Sequence, residues 1–130
     1  MSVELNHTIV WASDKQRSAE FLSEILALPE PFSWGRFAVV QTANGVSLDF
    51  TEKQGPGPIL PDHYAFLVSD GEFDAILERI TTRGLDHWAD PALSQPSAIN
   101  HREGGKGVYF LDPDGHILEV LTVSLLNGAP

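Results

Sequence analysis

The sequence predicts an α+β fold in which two βαβββ modules form a curved mixed sheet with a concave inner face. Three observations point to it. The order strand, helix, strand, strand, strand is readable twice along the chain. Chemically matched residues recur at fixed offsets: His7 and His63, and Ser13-Asp14 and Ser69-Asp70, lie 56 apart, while Asn44-Gly45 and Asp114-Gly115 lie 70 apart. The length of 130 residues with 42% hydrophobic side chains suits a single domain, residues 1–130, with a substantial core.

The first module is expected over about residues 1–52. LNHTIVW (Leu5–Trp11) is apolar and β-prone. Ser13-Asp14-Lys15-Gln16 follows as a capping-box pattern opening a helix, whose apolar residues Phe21, Leu22, Ile25 and Leu26 fall at helical spacing. Pro29 and Pro31 end it. A short strand at Phe32–Trp34 precedes FAVVQT (Phe37–Thr42), the Asn44-Gly45 turn and VSLDFT (Val46–Thr51). Residues 53–62, with three Pro and two Gly, form a linker.

The second module is expected over about residues 63–126. HYAFLV (His63–Val68) is its first strand. Ser69-Asp70-Gly71-Glu72 is a second capping box, Phe73, Ile76, Leu77 and Ile80 make the helix stripe, and Gly84 stops it. His87–Ala89 reads as a short strand and Asp90–Gly105 as a long polar loop of the kind that carries function. GVYFLDPDGHILEVLT (Gly107–Thr122) closes the module as a hairpin about Asp112-Pro113-Asp114-Gly115.

Strand parity gives the candidate site. Ile117, Glu119 and Leu121 share one face of the last strand. A carboxylate there needs a metal ion, a basic partner or solvent to offset its charge. Asp49 holds the same place in the first module, with Ser47 and Thr51 on its face and Leu48 and Phe50 on the other. His7 and His63 occupy matching first-strand positions. Two imidazoles and one or two carboxylates on a concave face suit one first-row divalent ion (Fe, Mn, Ni, Co or Zn), with His7, His63, Glu119 and Asp49 as ligands.

Composition excludes several classes. With 18 Asp+Glu against 8 Lys+Arg, the net charge of −10 repels nucleic acid and anionic membrane. There is no cysteine for disulfide or thiolate chemistry. The start lacks a basic signal region and no apolar run approaches the ~18 residues of a membrane span, so a cytoplasmic protein is expected.

The doubled plan, LNHTIVWASD, HYAFLVSD and the terminal DPDGHILE stretch together resemble the vicinal oxygen chelate superfamily: glyoxalase I, bleomycin- and fosfomycin-resistance proteins, methylmalonyl-CoA epimerase and extradiol dioxygenases. The resemblance spans nearly the whole chain. It implies metal ligands at His7, Asp49, His63 and Glu119, and a small-molecule substrate or drug chelated through two adjacent oxygens. It also implies a homodimer and no organic cofactor. Where glyoxalase I and the epimerase carry Glu or Gln, this chain has Asp49, one methylene shorter, which leaves two expectations open: direct ligation, or a reach to the ion through water as general base. Length speaks against the longer extradiol dioxygenases. A poverty of pocket cations (Arg36, Arg102 and Lys106) speaks against fosfomycin-resistance transferases, and the intact ligand set against a non-catalytic bleomycin-type binder. Lyase or isomerase chemistry is therefore the first expectation, with those three as alternatives and Asp49, Glu119 and Tyr109 as the catalytic side chains.

Tyr109 is placed towards the pocket, either holding a substrate oxygen or simply packed. Trp11, Trp34 and Trp88 are expected in cores rather than as pocket walls. His101 either reaches the site or stays solvated. His87 is taken as structural or exposed, and His116 has the wrong parity to be a ligand.

Overall fold

In a computed structural model, described over residues 2–124 and 126, the chain divides into two compact units, the first ending at Leu60 and the second beginning at Pro61. Residue 125 of the expected second module lies outside the described residues.

The first unit runs β1 (His7–Ala12), α1 (Lys15–Leu26), β2 (Phe32–Trp34), β3 (Phe37–Gln41) and β4 (Ser47–Glu52). Its sheet has the order β1-β4-β3-β2, with β1 parallel to β4 and the other pairs antiparallel. The parallel pair follows from the helical crossover, and the antiparallel pairs from short turns. Ala19, Leu22 and Ile25 of α1 are buried, as are Val10, Ala38, Val40, Leu48 and Phe50 on the strands α1 packs against. The residue that caps α1 is Asp14, whose Oδ1 accepts from the Arg17 N–H at 3.1 Å. The expected Ser13 cap is therefore corrected by one position. Ser13 Oγ instead accepts from the Arg17 side chain. Trp34, expected in a core, is 68% exposed. It lies on edge strand β2, where its ring stacks on Phe37 at 6.5 Å between centroids.

The second unit repeats the plan: β5 (His63–Leu67), α2 (Asp70–Thr82), β6 (His87–Trp88), β7 (Gly107–Leu111) and β8 (Ile117–Leu121), in the order β5-β8-β7-β6. β5 is parallel to β8. Its capping box is complete, with Ser69 and Glu72 each bonding the other's backbone. Phe73, Ile76 and Ile80 of α2 are buried, as are Val108, Phe110, Leu118 and Val120. Residues 89–106, without a long element of their own, are held by paired backbone bonds between Asn100 and Gly107 and by a short 3₁₀ turn at Arg102–Gly104.

The β7–β8 turn shows how a short motif becomes rigid. Oδ1 of the buried Asp112 accepts from the backbone N–H of Asp114 and of His116, each at 2.9 Å. Gly115 supplies the positive φ of 86°. Buried His116 accepts the Asp62 N–H on Nδ1 at 2.9 Å, which ties β8 to the start of β5. His116 is thus structural, as its parity implies. Among the described residues no helix is long and apolar enough to cross a membrane.

Candidate active site

In the second unit β8 is the central element of the site. Ala65 stands opposite Glu119 and His63 opposite Ile117, so parity sends the His63 and Glu119 side chains to one face as diagonal neighbours. His63 Nε2 lies 3.0 Å from Glu119 Oε1, with the two side chains 48% and 12% exposed. The other ring nitrogen, Nδ1, lies 3.2 Å from the Ile117 carbonyl, which can only accept, so Nδ1 carries a proton. In the neutral imidazole this leaves the lone pair of Nε2 aimed at a carboxylate. One positive charge satisfies that arrangement: a proton on Nε2, or a cation held by both donors. Two ligands at right angles about an ion, each bonded at ~2.1 Å, stand ~3.0 Å apart. The Nδ1–H to carbonyl bond also matches the way metal-binding histidines are oriented. The donor pair therefore fits a divalent ion.

Tyr109 on β7 pairs directly with Glu119 and is 2% exposed. Its ring stacks on His63 with centroids 6.0 Å apart. Its hydroxyl accepts from Arg102 Nη1 at 2.8 Å. Burial first, and then the neighbouring Glu119 charge, push the phenol above its usual range against the pull of Arg102, so it keeps its proton at neutral pH. Of the alternatives expected for Tyr109, the packed ring is what the structure shows, with the hydroxyl bonded to Arg102.

Arg102 comes from the loop, and the loop's anchor explains how. Asn100 donates its side-chain N–H to the Ala89 carbonyl at 2.8 Å, and its Oδ1 takes the Arg102 N–H. A Cβ at residue 107 would meet the Asn100 amide at 2.8 Å, so a side chain there would displace that amide from its two hydrogen bonds. A shallow cleft is lined by Asn100, Arg102, Lys106, Glu119, Leu121 and Val123. Lys106 is turned to α2, donating to Asp74 at 2.8 Å. Sequence reasoning noted Arg102 and Lys106 as pocket cations but missed Asn100. Its signal was the Asn100-to-Gly107 spacing across a turn-rich stretch.

In the first unit the matching residues behave differently. Exposed His7 bonds through Nδ1 to the Asn6 side-chain oxygen at 2.7 Å. Buried Asp49 accepts from Ser47 Oγ at 2.7 Å. Of the four expected ligands, then, His63 and Glu119 stand together, while His7 and Asp49 each have a local partner. Among the described residues no group of three or more His, Cys, Asp or Glu is gathered at metal-binding distance. His101 is exposed at the head of the 3₁₀ turn, and His87 is half-buried, bonding the Leu85 carbonyl.

The doubled module, the terminal hairpin and the His63–Glu119 pair define a class, and comparison with known proteins names it. The chain belongs to the Glyoxalase/Bleomycin resistance protein/Dioxygenase superfamily, whose family model matches residues 4–120. Among solved structures it is similar to Oxidase ChaP-H1, 58% identical over 95% of this chain and 98% of that one, with a TM-score of 0.91. Oxidase ChaP-H2 is 51% identical over 99% and 100%, with a TM-score of 0.93. Glutathione transferase FosA of Serratia marcescens is 33% identical, covering 96% of this chain and 84% of its own. These relatives are enzymes, and they favour the dioxygenase and resistance-transferase alternatives over the expected lyase or isomerase.

Proposed function

We propose that the chain is a metal-dependent oxidase that acts on a small substrate bound through two adjacent oxygens, with dioxygen as the electron acceptor. The observation that carries this is the His63–Glu119 donor pair at 3.0 Å, with His63 held in the tautomer that offers Nε2. High identity to two oxidases over nearly full length supports the reaction class. Two histidines and one carboxylate with open positions are the donor set that suits non-haem Fe(II). In this reading His63, Glu119 and His7 hold the ion, His7 coming from this chain or a second copy, and Asp49 assists through water. When bound, the ion supplies Lewis-acid polarisation of the substrate oxygens and electron-transfer chemistry. The chain's own residues do the rest. Tyr109 offers a substrate hydroxyl the oxygen lone pair that Arg102 leaves open, and the apolar Leu121 and Val123 limit water in the cleft.

The transferase reading has one support in the 33% identity to FosA. It is weakened by the cleft's cations, since Arg102 is bonded to Tyr109 and Lys106 to Asp74. A homodimer fits the exposed apolar residues Phe32 and Trp34 on β2; sedimentation at micromolar concentration tests it. The functional test is anaerobic reconstitution with Fe(II), followed by oxygen-uptake assays against catechols and 2-hydroxyketones. Stoichiometric iron and substrate-dependent oxygen uptake are expected. Protein that holds none of Fe, Mn, Co, Ni or Zn would instead be a binding protein.

A further inference from the structure

We propose that Arg102 is a positioning residue that acts through Tyr109 to hold the Glu119 carboxylate towards His63. The inference rests on the metal-centre reading above for its consequence, but its geometry lies wholly within the second unit. A phenol oxygen has one proton and two lone pairs. Arg102 Nη1 donates to that oxygen at 2.8 Å, and its guanidinium carbon lies 5.6 Å from the ring centre. With a cationic donor on the oxygen, the hydroxyl proton points elsewhere. Glu119 is the cross-strand partner of Tyr109, on the same face of the sheet, and a carboxylate acceptor. On this proposal the hydroxyl donates to Glu119 and occupies one carboxylate oxygen, with Oε1 left 3.0 Å from His63 Nε2. The Tyr109 ring, stacked on His63, closes the arrangement from the other side.

The loop is built to deliver this contact. Asn100 is clamped to Gly107 by two backbone bonds, at 2.9 and 3.0 Å, and receives the Arg102 N–H. Glu103 then turns the chain at a φ of 53°, a conformation that costs a non-glycine residue energy. Strain of that kind beside a polar network is consistent with a loop that sets a side chain rather than one that only connects strands.

The test compares wild type with Arg102→Met, Arg102→Lys, Tyr109→Phe and the Arg102→Met/Tyr109→Phe double variant. Calorimetry with Co(II) reads metal affinity, and Co(II) absorption reads ligand geometry. Outer-sphere partners of a metal ligand are worth about 10- to 100-fold in affinity. Arg102→Met and Tyr109→Phe should each weaken binding about tenfold and alter the Co(II) spectrum. The double variant should be no weaker than Tyr109→Phe alone, because both act through one hydroxyl. Arg102→Lys, which keeps a donor, should recover most of the loss. A second readout uses protein without added metal: the His63 Cε1–H resonance in ¹³C–¹H spectra, held in one environment by Glu119 and the Tyr109 ring in wild type, should be lost from its position in Arg102→Met. If Co(II) does not bind wild type but that resonance is lost in Arg102→Met, the positioning role stands and the metal reading fails. If Arg102→Met keeps both the resonance and wild-type affinity, or if the two single effects multiply in the double variant, the positioning role is overturned.

Discussion

His7 and His63 each open the first strand of a module, and each sits opposite the residue two before a carboxylate: Ser47 before Asp49, Ile117 before Glu119. The backbone register is the same, but the side chains meet differently. Glu119 reaches His63, whereas Asp49 turns to Ser47 and His7 to Asn6. Two side-chain differences account for this. Glu119 is one methylene longer, and Ile117 has no hydroxyl to satisfy a carboxylate locally, as Ser47 does. A repeat in the fold therefore need not be a repeat in the site: register places the residues, and chain length and near neighbours decide which of them meet.

The largest expected effect breaks the contrast at its working end. Glu119→Gln keeps the shape and removes the charge. It should lower divalent-metal affinity by more than the ~100-fold ceiling of outer-sphere changes. Asp49→Asn should cost less than about tenfold. Equal losses in calorimetry would mean that both modules contribute alike.

The hairpin turns come next. Asp112 and Thr42 hold matching places, and each closes its turn by accepting the N–H of the following Gly. Asp112→Ala removes two backbone acceptor bonds in a buried turn and should cost about 1–3 kcal/mol. Burial holds the Asp112 carboxyl above its usual range, against the His116 and Asp114 N–H groups that lower it. The folded state thus binds this proton more tightly than the unfolded chain. The resulting stability is present below the ordinary Asp value of about 3.9 and is lost as pH rises through the raised folded value. Asp112→Asn keeps an acceptor and discards the buried charge. Denaturant titrations from pH 3 to 7 should show it gaining on wild type as pH rises; a widening deficit would refute the assignment.

A double substitution sharpens the comparison. Ser47→Ala with Asp49→Glu gives the first module the second one's chemistry. His7 should then acquire a carboxylate partner, visible as a new protected imidazole N–H in NMR spectra, with little change in melting temperature.

The smallest effect concerns helix ends. Both helices finish with the same pair of bonds, Leu28 to Ser23 and Ala27 to Glu24 in α1, Leu85 to Ile80 and Gly84 to Thr81 in α2. The left-handed residue is Gly84 in one, at φ 66°, and Ala27 in the other, at φ 54°. Ala27→Gly should raise stability by up to about 1 kcal/mol, and Gly84→Ala should lower it by about the same. Thermal melts of the two variants should move in opposite directions.

What the sequence by itself determined is the plan. Alternation and helical spacing marked the strands and helices, two proline- or glycine-marked turns marked the hairpins, and offsets of 56 and 70 aligned the modules. These signals are local, because backbone periodicity and turn chemistry act over a few residues. Parity even placed His63 and Glu119 on one face and removed His116 from it, since a strand's period of two admits no ambiguity once register is set. Only the tertiary structure decided the rest. That Asp14 rather than Ser13 caps α1 depends on where the first turn begins. That Trp34 is exposed depends on β2 being an edge. That Arg102 meets Tyr109 depends on Asn100 folding the long loop back onto Gly107, a contact carried by hydrogen bonds within an aperiodic segment. Such segments have no repeating pattern from which a side chain's direction can be read, so the polar network around Glu119 became visible only once the chain was folded.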